Sequence, residues 1–267
     1  MRILVQTICY NEEQMLPFFL RHYEQIAEKI IVYDNYSTDF SPVLVDAHPK
    51  AELRFFETDD KSHEPSEVEV KNRAAENGRD YDWVIVCDMD ELLWHRRLYT
   101  ALSKYKAAGI TVPYASYYHM IADEFPVTIN QIYSKVRKGF RGISKHVLFD
   151  PAGVDQMNYG PGCHFAAPTG PSVVYGPNAA TWDGSRWIGG SRDGLKVLHM
   201  RLLGLEWLID RFQLLGGRKS EYDRQQKFGK QYFLSTEELT RLFDDINGES
   251  ADVFGPVDVL YPNEYFV

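Results

Sequence analysis

The stretch Trp83-Val84-Ile85-Val86-Cys87-Asp88-Met89-Asp90-Glu91 constrains this chain more than any other. An apolar run without a polar break ends in three closely spaced carboxylates. A run of this kind predicts a strand buried on both faces, as in a parallel sheet covered by helices. The carboxyl end of such a strand is where open α/β sheets place their ligands. On an extended backbone Asp88 and Asp90 share a face. Carboxylates held that close repel unless a cation sits between them, which points to a hard divalent metal carrying a phosphorylated substrate. The competing reading, from spacing alone, is a loop of solvated acids after a core strand.

The residues before it fall into a matching order. Residues 3–8 read as a first strand ending in Cys9-Tyr10-Asn11-Glu12, and Asn11 with Gln14 has the spacing of a capping box. Met15, Phe19, Tyr23 and Ile26 recur at helical spacing, with Pro17 starting or kinking the helix. Residues 30–33 form a second strand, followed by Asp34-Asn35-Tyr36-Ser37-Thr38-Asp39, and Ser41-Pro42 opens a short helix to Ala47. Residues 53–56 give a third strand, and 66–78 a helix carrying Lys71, Asn72 and Arg73. This alternation predicts an α/β fold with a doubly wound, mostly parallel central sheet, helices on both faces and C-terminal helices. The loops Tyr10-Asn11, Asp34-Asn35, Thr58-Asp59-Asp60 and Asp88-Met89-Asp90 then meet at one edge.

Beyond residue 95 a helix runs through Leu98, Leu102 and Tyr105, and strands are expected at 110–112, 146–149 and 196–199. Leu205, Leu208, Ile209, Phe212 and Leu215 mark another helix, and Ser235 with Glu238 caps a last one. We divide the chain into a ligand-binding half, 1–110, its companion half, 111–200, and a helical extension, 201–267.

A net charge of -9 over 267 residues argues against general affinity for nucleic acid or anionic membrane. Cys9, Cys87 and Cys163 are far apart and form no disulfide or zinc pattern, so a reducing compartment is expected. Without a signal-peptide pattern or an apolar segment near the ~20 residues a membrane span needs, the expected location is cytoplasmic. Aromatic residues, 14% of the chain, leave room for peripheral membrane contact.

Tyr10-Asn11-Glu12, Asp34-Asn35-Tyr36-Ser37-Thr38-Asp39, Lys71-Asn72 and Asp88-Met89-Asp90 together resemble the inverting glycosyltransferases of the GT-A fold, family 2. The resemblance is closest to the branch whose second motif reads Asp-Asn-X-Ser-Thr-Asp. It covers about the first hundred residues, and the order and spacing of the motifs make it more specific than any one of them. It implies that the first two loops hold a nucleotide, with Thr7, Tyr10, Asn11, Asp34, Asn35, Lys71, Asp88 and Met89 as binding residues. It also implies that the Asp-X-Asp motif holds Mn²⁺ or Mg²⁺ on the diphosphate through Asp88 and Asp90, with a late histidine added. His199, at the end of an apolar strand, is the favoured third ligand. His164, in Gly160-Pro161-Gly162-Cys163-His164, is assigned to the sugar or acceptor.

Each residue also has a physical role and a plain alternative. Tyr10 offers a flat face for a nucleobase, a contact worth about 1–3 kcal/mol elsewhere, or simply packs at a strand end. Asp34 can accept from base or ribose, or bond its own turn. Arg211, Arg218, Lys219 and Arg224 form either a lid over the diphosphate, with Arg218 and Lys219 closest, or a solvated helix face. The family's usual acidic pair for the catalytic base has no evident counterpart, which leaves Asp123-Glu124, Asp155 and His164 as candidates. We take His164 and Glu124 forward.

The expected activity is metal-dependent transfer of a sugar, with inversion, from a nucleotide sugar, UDP-linked by preference, to a glycan or glycolipid acceptor. The rivals are a phosphatase-like phosphoryl-transfer enzyme, whose motif normally follows the first strand of its core, and a non-catalytic nucleotide-sugar-binding protein. A Walker-type ATPase is excluded because no Gly-X4-Gly-Lys-Ser/Thr loop occurs.

Overall fold

The computed structural model describes residues 1–59, 61–176, 181–182, 187–188 and 194–255, so Asp60 of the third loop lies outside the described residues. Strands β1 (Ile3–Cys9), β2 (Lys29–Asp34), β3 (Ala51–Phe55) and β4 (Trp83–Val86) are parallel and lie in the order β3-β2-β1-β4. Between them run α1 (Leu16–Tyr23), α2 (Ser41–Asp46), α3 (Glu64–Asn72) and α4 (Ala74–Asn77). Alternate strand residues feed two cores. Ile3, Val5, Ile30, Val32, Trp83 and Ile85 pack with Phe19 and Tyr23 of α1. Leu4, Ile31, Val84 and Val86 pack with Val70, Ala74 and Ala75 of α3 and α4. Burial on both faces is why β1, β2 and β4 read as apolar runs rather than as alternating ones. Gly78 lets α4 close on β4, since a Cβ there would fall 2.1 Å from Val84 Cγ2.

Local readings differ in places. The capping box at Asn11 and Gln14 does not form: α1 begins at Leu16, behind Met15, with Pro17 in its first turn. Asn11 sits at φ 50° and spends its side chain on Thr38, accepting from the backbone N–H at 2.7 Å and donating to Oγ1 at 3.1 Å. The helix expected over 66–78 is two helices, with Arg73 at the join.

After β4 the chain turns at Met89-Asp90 and enters a second sheet as β5 (Glu91–Trp94). Then follow α5 (Leu98–Ala107), β6 (Ser116–Ala122), α6 (Ile132–Lys135) and β7 (Lys138–Arg141). The short strand β8 (Leu148–Phe149) returns to the first sheet, antiparallel to β4, and β9 (Thr181–Trp182) pairs antiparallel with β10 (Trp187–Ile188). The chain continues through β11 (Lys196–Leu203), α7 (Leu205–Arg218), α8 (Glu221–Gln225), α9 (Thr236–Glu249) and β12 (Ala251–Asp252). The second sheet has the order β12-β7-β6-β11-β5. Residues 110–112 do not make the expected strand; Val112 forms only an isolated bridge to Tyr175. Leu208 and Phe212 of α7, with Leu239 and Phe243 of α9, bury against Ile121 and Leu202 of this sheet. That packing holds the polar face of α7 over the carboxyl ends of β1 and β4. No helix among the described residues is long and apolar enough to cross a membrane.

Candidate active site

The strand ends and α7 enclose a cleft of about 450 Å³. Its walls carry Tyr10 and Glu12 after β1, Asn35 after β2, Glu64, Glu67 and Lys71 on α3, and Asp88, Met89 and Asp90. Tyr117 and His119 of β6, Lys145, His164, His199 and Arg201 of β11, and Arg211, Arg218 and Lys219 complete it. In a chain of net charge -9 this concentration of cations is local.

The two aspartates do not share a face of an extended strand, because the backbone turns at Met89-Asp90. Asp88 accepts from Lys71 Nζ at 2.5 Å and from Lys145 Nζ at 2.9 Å. Lys145 also reaches Glu91 Oε1 at 2.5 Å, while Glu91 Oε2 accepts the Asp88 backbone N–H at 3.0 Å. Burial alone would raise the pKa of Asp88, but Lys145 and Lys71 outweigh it and hold the carboxyl well below the usual range. Burial works against the charge of both lysines, and Asp88 above all raises them well above the ordinary lysine value. Asp90 faces the other way. Its Oδ2 lies 3.2 Å from His199 Nε2 and accepts from Arg211 at 3.2 Å, and Arg211 also donates to Glu12 at 2.5 Å. Burial opposes ionisation of Asp90 as well, and His199 and Arg211 reverse it.

Asp90 and His199 are the donors that a divalent cation could use in this cleft, Asp88 being held by its lysines. No group of three His, Cys, Asp or Glu side chains among the described residues is arranged to hold a metal. A carboxylate and an imidazole make half a site, of the kind Mg²⁺ or Mn²⁺ completes with phosphate oxygens and water.

The cleft gathers Tyr10, Asn35, Lys71, Asp88, Met89, Asp90, His164, His199, Arg218 and Lys219 of the expected residues. Thr7, Asn11, Asp34 and Glu124 do not line it. Thr7 is buried in β1 and donates to the Ile8 carbonyl at 3.2 Å. Asp34 is buried and closes its own turn, accepting from Ser37 N at 2.7 Å and Ser37 Oγ at 2.6 Å. Glu124 is exposed beyond the end of β6. Asn35 donates to the Phe56 carbonyl at 2.8 Å and accepts from Thr58 Oγ1 at 2.8 Å and from Arg218 at 2.6 Å. The Arg218 guanidinium lies over the Tyr10 ring, 3.3 Å from its centroid, so the expected stacking face carries a cation. Arg211, Arg218 and Lys219 are not a solvated helix face: Arg218 and Lys219 are buried, and Arg211 is pinned by two carboxylates. His164 stands exposed at the cleft rim, where its surroundings and then Lys145 lower its pKa to about 4.

Sequence reasoning passed over Lys145, Tyr117, His119 and Glu67. For Tyr117 and His119 a signal existed, since their i, i+2 spacing puts them on one face of a strand. Gly142 makes room for the second, because a Cβ there would fall 2.8 Å from His119 Nε2. Glu67 lies one turn before Lys71, and burial and then Glu64 push its carboxyl up to about 7. Lys145 belongs to no motif.

No family model matches this chain, and no curated protein does. Among solved structures it is similar to residues 1–349 of S. aureus TarS, with 14% identity over 57% of this chain and 48% of that one and a TM-score of 0.38. It is also similar to glucosyl-3-phosphoglycerate synthase from Mycobacterium tuberculosis in complex with phosphoglyceric acid, with 18% identity over 43% of this chain and 44% of that one, TM-score 0.32. A second structure of that synthase, with Mn²⁺, uridine diphosphate and glucosyl-3-phosphoglycerate, gives 18% identity and a TM-score of 0.31 over the same shares. The chain spans about half the length of these proteins or less.

Proposed function

We propose that this chain is a glycosyltransferase that moves a sugar, with inversion, from a nucleotide sugar to a hydroxyl of a glycan or glycolipid acceptor. One observation carries the reading. A cleft at the carboxyl edge of a parallel sheet rings an Asp90–His199 pair with the cations Lys71, Lys145, Arg211, Arg218 and Lys219. That is the charge pattern a nucleoside diphosphate requires, and the sheet edge is where α/β folds bind such ligands. The UDP-linked donor stays our choice, with the base taking the Tyr10 ring in place of the Arg218 guanidinium that covers it here.

Asp90 and His199 would hold Mn²⁺ or Mg²⁺, which neutralises the departing diphosphate when bound. Lys219 and Arg218 donate to the diphosphate from the α7 side. Lys71 and Lys145 keep Asp88 ionised and fixed as an acceptor for ribose or sugar hydroxyls. His164, exposed at the cleft rim, is our choice to take the acceptor proton. The phosphatase-like alternative needs a free nucleophilic carboxylate, whereas both oxygens of Asp88 are held by lysines.

Calorimetry with UDP and Mn²⁺ on the native chain and on Asp90→Ala tests this directly. Metal-dependent UDP binding that the variant loses is the expected result. Equal nucleotide affinity in both proteins would remove the metal bridge. Binding of UDP-sugars without transfer across an acceptor panel would leave a binding protein.

A further inference from the structure

We propose that the chain pairs with a second copy of itself through the open edge of its first sheet, β3 against β3 in antiparallel order about Leu53. Among the described residues β3 pairs with β2 alone and stands last in the sheet. Ile30 donates its backbone N–H to the Lys50 carbonyl at 2.9 Å, and Phe56 donates to the Asp34 carbonyl at 3.2 Å. Those two bonds fix which groups of β3 face inward. Successive residues alternate, so the N–H and C=O of Leu53 and Phe55 and the carbonyl of Ala51 point out of the sheet. The Ala51 N–H is taken by the His48 carbonyl at 3.0 Å. Natural proteins blunt such an edge with proline, a bulge or lysines. β3 reads Ala-Glu-Leu-Arg-Phe, and its register with β2 runs without a break.

An open edge accepts any extended segment, and here the charges choose the partner. In an antiparallel pair centred on Leu53, each Glu52 faces Arg54 of the second copy, and opposite charges placed so stabilise the pair. Centring on Glu52 would set Glu52 against itself and Arg54 against Lys50; centring on Arg54 would set Arg54 against itself. Within one copy Glu52 already accepts from Arg54 Nε at 2.5 Å and pairs with Lys29, so association closes a ring of alternating charges. The same register joins the outward groups. Leu53 bonds Leu53 in both directions, and each Phe55 N–H meets the Ala51 carbonyl of the other copy. On the opposite face of the sheet from the charges, Phe55 falls against Ala51, large against small. That face also carries α2, whose Leu44 joins the same core as Leu53. Beside it Phe40, Val43 and Phe55 are 69%, 62% and 50% exposed, an apolar strip that two copies would cover for each other. Antiparallel pairing sets the two clefts at opposite ends of the joined sheet.

Sedimentation of the full chain over a concentration series is the test. The native chain should run as a dimer that dissociates on dilution. Glu52→Arg and Arg54→Glu each set like charges face to face, and each should raise the dissociation constant ~10-fold or more. Mixed in equal amounts, the two variants should dimerise again, because every facing pair is then opposite in sign. Damage to the fold by either substitution cannot produce that rescue. Phe55→Pro removes an outward N–H and leaves the bonds to β2 in place, so it should weaken the dimer without unfolding the chain. A native chain that stays monomeric at every concentration overturns the proposal, whether or not the variants fold. So does a native dimer that either folded charge variant keeps at full strength, or a mixture of the two folded variants that stays monomeric.

Discussion

Asp88 and Asp90 belong to one motif and one turn, yet they have opposite surroundings. Asp88 lies between two buried lysines that answer its charge completely. Asp90 faces an imidazole and an arginine that is shared with Glu12. Both carboxyls are pushed towards neutrality by burial and pulled back by cations. The difference is whether those cations can yield. A lysine fixed between carboxylates cannot make way for a ligand without stranding a charge, whereas the His199 imidazole faces the single carboxylate of Asp90. Within a repeated acidic motif, the partner of each acid decides which of them works and which of them holds.

The largest effect should come from breaking the lysine side. Lys145→Met leaves Asp88 and Glu91 short of a buried cation and should cost about 3–5 kcal/mol in denaturant unfolding. The same variant tests the sign of the pH dependence. Asp88 is depressed in the folded chain, so its contribution is present above the unfolded carboxyl value of about 4 and is lost as pH falls through the folded one. Without Lys145 the acid limb of the stability curve should therefore move to higher pH. An unchanged midpoint would mean that Asp88 has no structural role.

The histidine side should respond in activity rather than in folding. Asp90→Asn is expected to lower kcat/KM by about 10²–10³, the size seen when one preorganised electrostatic contact is removed, with a smaller loss of stability than Lys145→Met. A loss of stability equal to that of Lys145→Met would erase the contrast between the two acids. Next in size is Tyr10→Leu, which should weaken nucleotide binding by about 1–3 kcal/mol if a base displaces Arg218 from the ring. Calorimetry showing no change would mean that the guanidinium keeps its place.

Glu67→Gln should give the smallest effect, visible only in how stability varies with pH. Its carboxyl is raised to about 7 in the folded chain, so the folded state binds more protons and stability falls as pH rises from the unfolded value of about 4.3 to about 7. The glutamine variant should match the native chain in acid and exceed it above pH 7. Parallel curves would show that Glu67 is not strained.

The first sheet was legible because β1, β2 and β4 are buried on both faces, which leaves apolar runs there, unbroken at β4. The second sheet was not, because β7 and β12 are short and mix polar with apolar residues, giving no period to read. At the site, spacing brought out Asp88 and Asp90 beside a strand signal, and the resemblance brought out Lys71. Turn chemistry misled at Asp34 and Asn11, where a side chain fit for a ligand is as fit for closing a loop. Lys145 was invisible because its role depends on a long-range return of the chain between β7 and β8. Glu91 reaches the Tyr117 hydroxyl only because the chain turns into β5.

The turn at Met89-Asp90 is also where the chain leaves one sheet for the other, with β4 on one side and β5 on the other. Lys71 rides on a helix packed against the first sheet, while His199 belongs to a strand of the second. A ligand that engages both wings is therefore a rivet across the seam. Amide protons along Glu91–Trp94 and Lys196–Leu203 should exchange more slowly in its presence, even where they lie far from any atom it touches.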